Sequence, residues 1–435
     1  MNTTQNTQQS EEVREQLSAI ESISNLLTTS SLNLESLLDE IVAVTAQTLQ
    51  TSACSLRLYN PAKGEMELKA VHGLSDQYLA KGPILAEKSI YQEMIENRES
   101  GGSIVKISDV SRDERIQYLD EALEEGIKSM LSLPLLEDGT VIGAISVYTR
   151  FLHEFLPEEI RAFKTLANQA AAAISIARLH QEVMHLKSIE QELQIASDIQ
   201  SRFMPSTTPN IKDIDIAGWN RACQEVGGDF YDFIELPEDN IGIALGDVSG
   251  KGIPAALLMI AVRTSLRVQA ENVYSMSEVM RRVNRALHSD TNQDEFTTLF
   301  YAVLDTSNWM MTYINAGHNP PLLFRNGEII RLKTGGMPVG LFKEADYRQE
   351  TLQIEPGDML VIYSDGFSEA PNAEWEEFGE DRIIEVLRQH REEPPRQIID
   401  TLEGAVTNYL SPEVNYSDDR TVVVLKAAPD AKLSL

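Results

Sequence analysis

The acidic residues of the second half of the chain stand where chemistry can be done: Asp229 and Asp232 in "VGGDFYD", Asp247 in "ALGDVSG", Asp365 and Glu369 in "IYSDGFSEA", and Asp418 and Asp419 in "YSDDRTVVV". Each lies where an apolar run meets a turn, and Asp in a Gly-containing turn is by itself common. Several such sites together form a pattern. Buried strands bring their ends to one edge of a core, and the carboxylates come with them. Converging carboxylates repel one another unless a cation neutralises them. Hard oxygen donors without a Cys or His cluster suit Mg²⁺ or Mn²⁺. Two such ions can activate a water and clamp a phosphoryl oxygen, which is metal-assisted phosphoester hydrolysis. That chemistry needs no protein nucleophile, and none stands out. There is no GxSxG, and neither Cys54 nor Cys223 has a placed histidine partner.

One stretch invites a different reading. "ALGDVSGKGIPAALLM", residues 244 to 259, has the glycines and lysine of a phosphate-cradling loop. A Walker A loop needs Gly, four intervening residues, then Gly-Lys and a Ser or Thr. Here Gly246 and Gly250 are too close by one residue, and Lys251 is followed by Gly252, so no hydroxyl is placed for Mg²⁺. The glycines are better read as the setting of Asp247, with Pro254 opening a helix.

These residues need elements to position them. Strand-like stretches in 210–428 include "DIDIAGW", "NIGIALGD", "TLFYAVLD", "WMMTYINAG", "PLLFRNG", "EIIRLK", "DMLVIYSDG" and "RTVVVLK". Helical periodicity falls at about 253–271, 276–289, 380–391 and 395–410. Many strands at hairpin spacing, with helices in pairs, predict sheets covered by helix layers rather than a parallel wound sheet.

The first half is organised differently. Residues 1–16 are polar and read as a disordered tail. Residues 17–50 carry helical periodicity. Two hairpins follow, "ACSLRLYN" with "MELKAVHG" and "SMLSLPLL" with "VIGAISVYT". A helix opening at Pro157 continues without punctuation to about residue 203. Its apolar positions Leu179, Val183, Leu186, Ile189, Leu193, Ala196, Ile199 and Phe203 step by threes and fours. That is close to a coiled-coil seam and predicts a dimeric linker.

Bulk properties exclude several classes. The 435 residues carry a net charge of −30, with 42% apolar and 24% charged residues. No basic stripe is present, so nucleic acid and anionic membrane surfaces are disfavoured as partners. Two cysteines without CxxC spacing argue against a zinc site or a disulfide framework. The polar first residues do not read as a signal peptide, and no run approaches the length of a membrane span. The expected location is the cytoplasm.

"EVGGDFYD", "LGDVSGKGIPAALLM", "TLFYAVLD", "NAGHNPPLL", "GMPVGL", "YSDGFSEA" and "SDDRTVVVL", in that order, resemble the PPM (protein phosphatase 2C-like) family. The likeness is to its bacterial branch typified by stage II sporulation protein E and the stress-response sigma-factor regulators. The resemblance implies an α-β-β-α sandwich with two Mn²⁺ or Mg²⁺ ions between the sheets. It implies Asp247 bridging both ions, the Val248 carbonyl as a further ligand, Asp365 and Asp418 completing one ion, and Asp229 holding the other. Asp247 and Asp365 are then the catalytic candidates, acting through a metal-held water. Candidate substrate-contacting or supporting residues are Asp232, Lys251, Arg221, His318, Glu369 and Asp419.

"ISDVSRDER", "GIKSMLSLPLLEDGTVIGAISV" and "FLPEEIRAFKTLANQAAAAI" make residues 34–176 similar to GAF sensory domains, built on an antiparallel sheet with helices. The expected organisation is α+β. It comprises a tail over 1–16, a GAF-like domain over 17–176, a helical linker over 177–205 and a phosphatase domain over 206–430. The expected function is a signal-regulated serine/threonine protein phosphatase. Its expected partners are a phosphorylated anti-anti-sigma (STAS-domain) regulator as substrate, an unknown small ligand or upstream protein at the GAF domain, and a second copy of the chain. The alternative is a sensor-adaptor that binds a phosphoprotein without turnover.

Overall fold

The computed structural model describes residues 34–97, 102–273, 275–292, 294–411, 414 and 418–431. The expected tail over 1–16, and the part of the expected first helix before residue 34, lie outside the described residues. The chain divides into two compact units, Met1–Ser188 and Ile189–Leu435.

The N-terminal unit is built on one antiparallel sheet in the order β2-β1-β5-β4-β3. Its strands are β1 (Ala53–Asn60), β2 (Glu65–His72), β3 (Val105–Ile107), β4 (Ser129–Glu137) and β5 (Thr140–Thr149). Alternation along β1 explains the two-sided packing. Leu56 and Leu58 point to a core shared with Leu38 and Ile41 of the helix Leu34–Thr48, and with Phe163 and Ala170 of the helix opening at Pro157. Residues of the other face join Tyr78, Tyr91, Met94 and Met130 in a second core under short helices.

The helix Pro157–Ser201 runs for 45 residues. Glu158 and Glu159 lie in its first turn, where they complement the exposed N–H groups. Along it Leu179, Val183, Leu186 and Ile189 are exposed. Near its end the buried side becomes Gln200, with Met204 just beyond packed against the core of the second unit.

The C-terminal unit has four layers. One sheet runs β13-β10-β9-β8-β7, with β14 added against β10. It comprises β7 (Phe230–Leu236), β8 (Asn240–Val248), β9 (Thr297–Asp305), β10 (Met310–Ala316), β13 (Gly335–Gly336) and β14 (Glu350–Gln353). The other runs β12-β11-β15-β16-β6. It comprises β6 (Ile214–Arg221), β11 (Leu322–Arg325), β12 (Glu328–Arg331), β15 (Met359–Tyr363) and β16 (Arg420–Ala427). Ile243, Leu245, Phe300, Leu360, Ile362 and Val423 fill the space between the sheets. The helices Ile253–Asn272 and Met276–Asp290 cover the first sheet, and Gly379–Gln389 and Pro395–Tyr409 cover the second.

Strand β7 was not among the expected strands, because its two acids, Asp232 and Glu235, interrupt the apolar pattern. The helix Ile253–Asn272 is long and apolar enough to cross a membrane by length and composition. Here Ala255, Met259, Val262 and Leu266 pack into the core. Its Arg263 and Arg267 bind a buried carboxylate, Asp232.

Candidate active site

Two strand ends and two loops carry the acidic cluster. Asp247 sits at the end of β8, opposite Thr298 on β9. Asp365 follows β15 and opens the short helix Asp365–Ser368. Asp418 and Asp419 immediately precede β16, which pairs with β15. Asp229 immediately precedes β7, which pairs with β8. Hydrogen-bonded neighbours within each sheet, and the stacking of the two sheets, thus bring all of these aspartates to one edge of the sandwich.

Their electrostatics show that they feel one another. Burial, then the charge of Asp365, pushes the Asp247 carboxyl up to about 7, although Asp229 hydrogen-bonds to it. Burial, then the charge of Asp247, drives Asp229 well above the usual carboxylate range. Burial, then Asp418, raises Asp365. Carboxylates whose pKa is raised by burial and by one another would be drawn back to the ionised form by a nearby cation.

The residues fit a divalent metal on two observations. Oδ2 of Asp229 is buried and has no partner. The Val248 carbonyl oxygen lies beside the same loop, since a methyl group at Gly228 would stand 2.9 Å from it. Only a glycine at 228 lets that carbonyl and Asp229 come so close. Gly250 and Gly252 hold φ of +89° and +72°, a region that favours glycine, and so turn the chain from Val248 into the next helix. Among the described residues, no three Asp, Glu, His or Cys side chains are already gathered tightly enough to hold an ion. A backbone carbonyl with waters is the usual complement for Mg²⁺ beside one or two carboxylates.

The supporting residues separate into those near the cluster and those turned away. Lys251 Nζ lies 3.0 Å from Asp418 Oδ1. Burial works against its ammonium, but the Asp418 carboxylate holds its pKa above the usual lysine value. Glu369 is exposed at the rim, and partial burial followed by the charge of Asp365 raises its carboxyl. Arg221 ion-pairs with Glu403 at 3.1 Å and lines a 200 Å³ cavity with Cys223, Gly366, Asp418 and Arg420.

Asp419 turns the opposite way from its neighbour Asp418. Its Oδ1 accepts from the Cys223 N–H at 2.7 Å, and its Oδ2 accepts from the Gly228 N–H at 2.6 Å and the Asp229 N–H at 3.3 Å. It therefore grips the loop that carries Asp229.

Asp232 is not brought to the cluster. Three positions after Asp229, it faces the helix layer, where Arg267 donates to it at 2.5 and 2.7 Å. His318 is fully buried, which pushes its imidazole down to about 4, and its Nδ1 is 2.8 Å from Thr298 Oγ1. It stands behind Asp247, through Thr298.

One contact was not anticipated from the sequence. The Gln200 side chain donates through Nε2 to the Gly227 carbonyl at 2.6 Å and accepts from the Gly227 N–H at 3.1 Å. This paired contact ties the end of the long helix to the loop before Asp229. Gln200 stands beside the apolar seam, next to Ile199, and nothing in the sequence singles it out.

Four layers, two face-to-face sheets and aspartates at one sheet edge define the PP2C-type phosphatase class. The fold matches the PP2C domain of SiaA from Pseudomonas aeruginosa with a TM-score of 0.50 and 22% identity, covering 56% of this chain and 98% of that one. Residues 237–428 match the Stage II sporulation protein E (SpoIIE) family, and residues 33–174 match the GAF domain. The chain is 30% identical over 234 residues to phosphoserine phosphatase RsbU of Bacillus subtilis (strain 168), covering 52% of this chain and 69% of that protein. It is 28% identical over 226 residues to phosphoserine phosphatase RsbP of the same organism, of which it spans 53%. The chain belongs to the SpoIIE-type branch of the PP2C protein serine/threonine phosphatases and carries a GAF domain.

Proposed function

We propose that this chain is a signal-regulated, metal-dependent phosphoserine/phosphothreonine protein phosphatase. The observation that carries the reading is the gathering of Asp229, Asp247, Asp365 and Asp418 at one sheet edge, with the orphaned Asp229 Oδ2 and the Val248 carbonyl beside it. Asp247 joins the two halves of this set, since it interacts with Asp229 on one side and with Asp365 and Asp418 on the other. Two Mn²⁺ or Mg²⁺ ions held by these groups would supply Lewis acidity and an activated water. Asp419 fixes the loop of Asp229, and Thr298 with His318 backs the strand of Asp247. Lys251 and Arg221 place positive charge beside the cluster, where a phosphoryl group would enter. Glu369 adds a carboxyl on the Asp365 side.

The substrate in this reading is a phosphorylated STAS-domain regulator of a sigma-factor pathway, supported by the likeness to RsbU and RsbP. The GAF domain is the sensor, and the helix Pro157–Ser201 carries its state toward the Gly227–Asp229 loop. The exposed stripe Leu179, Val183, Leu186 and Ile189 supports pairing with a second copy. The proposed location is the cytoplasm. The test is phosphate release from phosphorylated STAS proteins of the same organism, with and without Mn²⁺. Binding without turnover would replace the enzyme by an adaptor. For pairing, light scattering on the full chain should give a dimer, and charged substitutions at Val183 and Leu186 should give a monomer.

A further inference from the structure

Two cations of the GAF domain lie close together, Arg57 on its sheet and Lys81 just beyond the short helix Asp76–Leu79. Arg57 lies on β1 between Leu56 and Leu58, so alternation turns it away from their core to the other face. It is 6% exposed. Its Nη1 donates to the Met66 carbonyl at 3.2 Å, while its Nε is buried and has no partner. Lys81 holds its ammonium 3.0 Å above the centre of the Tyr78 ring and 5.9 Å from that of Tyr118.

Neither cation makes an ion pair among the described residues. Both line a cavity of about 180 Å³, together with Met66, Leu79 and Ile84. Glu65 and Glu67 also line it, but neither ion-pairs with Arg57 or Lys81. Glu67 is instead committed to Asn60, Lys63 and Lys69. Lys81 and Ile84 also border a second, smaller space of about 40 Å³ walled by Tyr91, Tyr118, Met130 and Tyr148. Burial, then the charge of Arg57, lowers Lys81 to about 7, and the more distant carboxylates of Glu121 and Glu125 offset this only in part, so the two cations feel each other.

A buried guanidinium with an unmade N–H bond is costly. Two cations facing one cavity without an ion pair also repel each other, and a bound anion offsets both penalties. The guanidinium fork matches a planar carboxylate or a phosphate, and the ammonium supplies a second point of charge.

We propose that the GAF domain binds a small organic anion, its carboxylate or phosphate held between Arg57 and Lys81 and its apolar part against the tyrosine-walled space behind Lys81. The proposal rests on the sensory role given to this domain and names the chemistry of its ligand.

The test is calorimetric titration of the full chain with benzoate and, separately, with phenyl phosphate. EDTA is present, so that phosphate binding at the phosphatase cluster is suppressed. Saturable binding of at least one probe is expected, weakened roughly tenfold or more in Arg57→Met and in Lys81→Met. Benzoate alone would mark a carboxylate site and phenyl phosphate alone a phosphate site. The ligand-free melting temperature of Arg57→Met should hold or rise, since the change removes an uncompensated buried charge. The proposal is overturned if neither probe binds up to about 10 mM, or if Arg57→Met binds as tightly as the parent. It is also overturned if Arg57→Met melts lower without ligand, which would make the guanidinium a structural group. Phosphatase turnover is not read in this experiment, so its failure leaves the catalytic reading intact.

Discussion

Replacing Asp419 by Asn keeps the shape of the side chain and removes its charge. Two short hydrogen bonds are at stake, from the Cys223 N–H at 2.7 Å and the Gly228 N–H at 2.6 Å. Each is made to a carboxylate and contributes about 1.5–3 kcal/mol. Asn has one accepting oxygen, so its amide nitrogen must face one of these backbone donors. At least one short bond is lost, which costs about 2 kcal/mol. For a unit of this size that lowers the melting temperature by roughly 4–8 °C. Asp419 also packs against Gly227, where a methyl group would stand 2.5 Å from Oδ2, so the loop has little room to shift and recover the bond. With its grip loosened, the loop holds Asp229 less well, and Mn²⁺ affinity should fall roughly 10–100-fold. The assay is calorimetric Mn²⁺ binding on Asp419→Asn, alongside its melting curve. Parent-like Mn²⁺ affinity together with a parent-like melting temperature would refute the role given to Asp419.

Other outcomes follow from the same geometry. Asp247 titrates near 7 in the folded metal-free chain but near the ordinary Asp value when unfolded, so between these the native state binds the extra proton. In EDTA the C-terminal unit should therefore lose stability as pH rises from about 4 to about 7. With Mn²⁺ the trend should reverse, because metal binding requires the ionised form; melting curves across pH with each addition check both signs. Lys251→Ala removes a cation that already neutralises Asp418. The Mn²⁺ concentration for half-saturation, read by calorimetry, should fall severalfold. Gln200→Ala leaves the N–H and C=O of Gly227 without their side-chain partner. A loss of about 1–3 kcal/mol is expected in denaturant unfolding of the C-terminal unit, and an unchanged midpoint would discount the contact.

Much of the fold was legible because its signals are local. Apolar runs, continuous where both faces are buried, marked β8, β9, β15 and β16, and the helix from Pro157 announced itself with a proline and two glutamates. The aspartates at strand ends were legible for the same reason, since a strand end is visible in sequence. Direction was not. Asp229 and Asp232 share one short motif, yet strand alternation sends Asp232 to two arginines on the helix layer. Asp418 and Asp419 are adjacent, yet one faces Lys251 and the other three backbone N–H groups. Gln200 and Gly227 stand 27 residues apart, and no local rule pairs them. Arg57 is a charge within a strand, and nothing local in the sequence marks its face as buried.

The central claim is that the aspartate cluster turns over phosphoprotein with Asp247 at its centre. The most direct measurement is phosphate release from a phosphoserine protein by the full chain and by Asp247→Asn, in Mn²⁺ and in EDTA. Turnover by the parent chain in Mn²⁺ alone, lost in Asp247→Asn while the variant still folds, is the predicted result. Turnover that survives EDTA, or parent-level activity in Asp247→Asn, would contradict it.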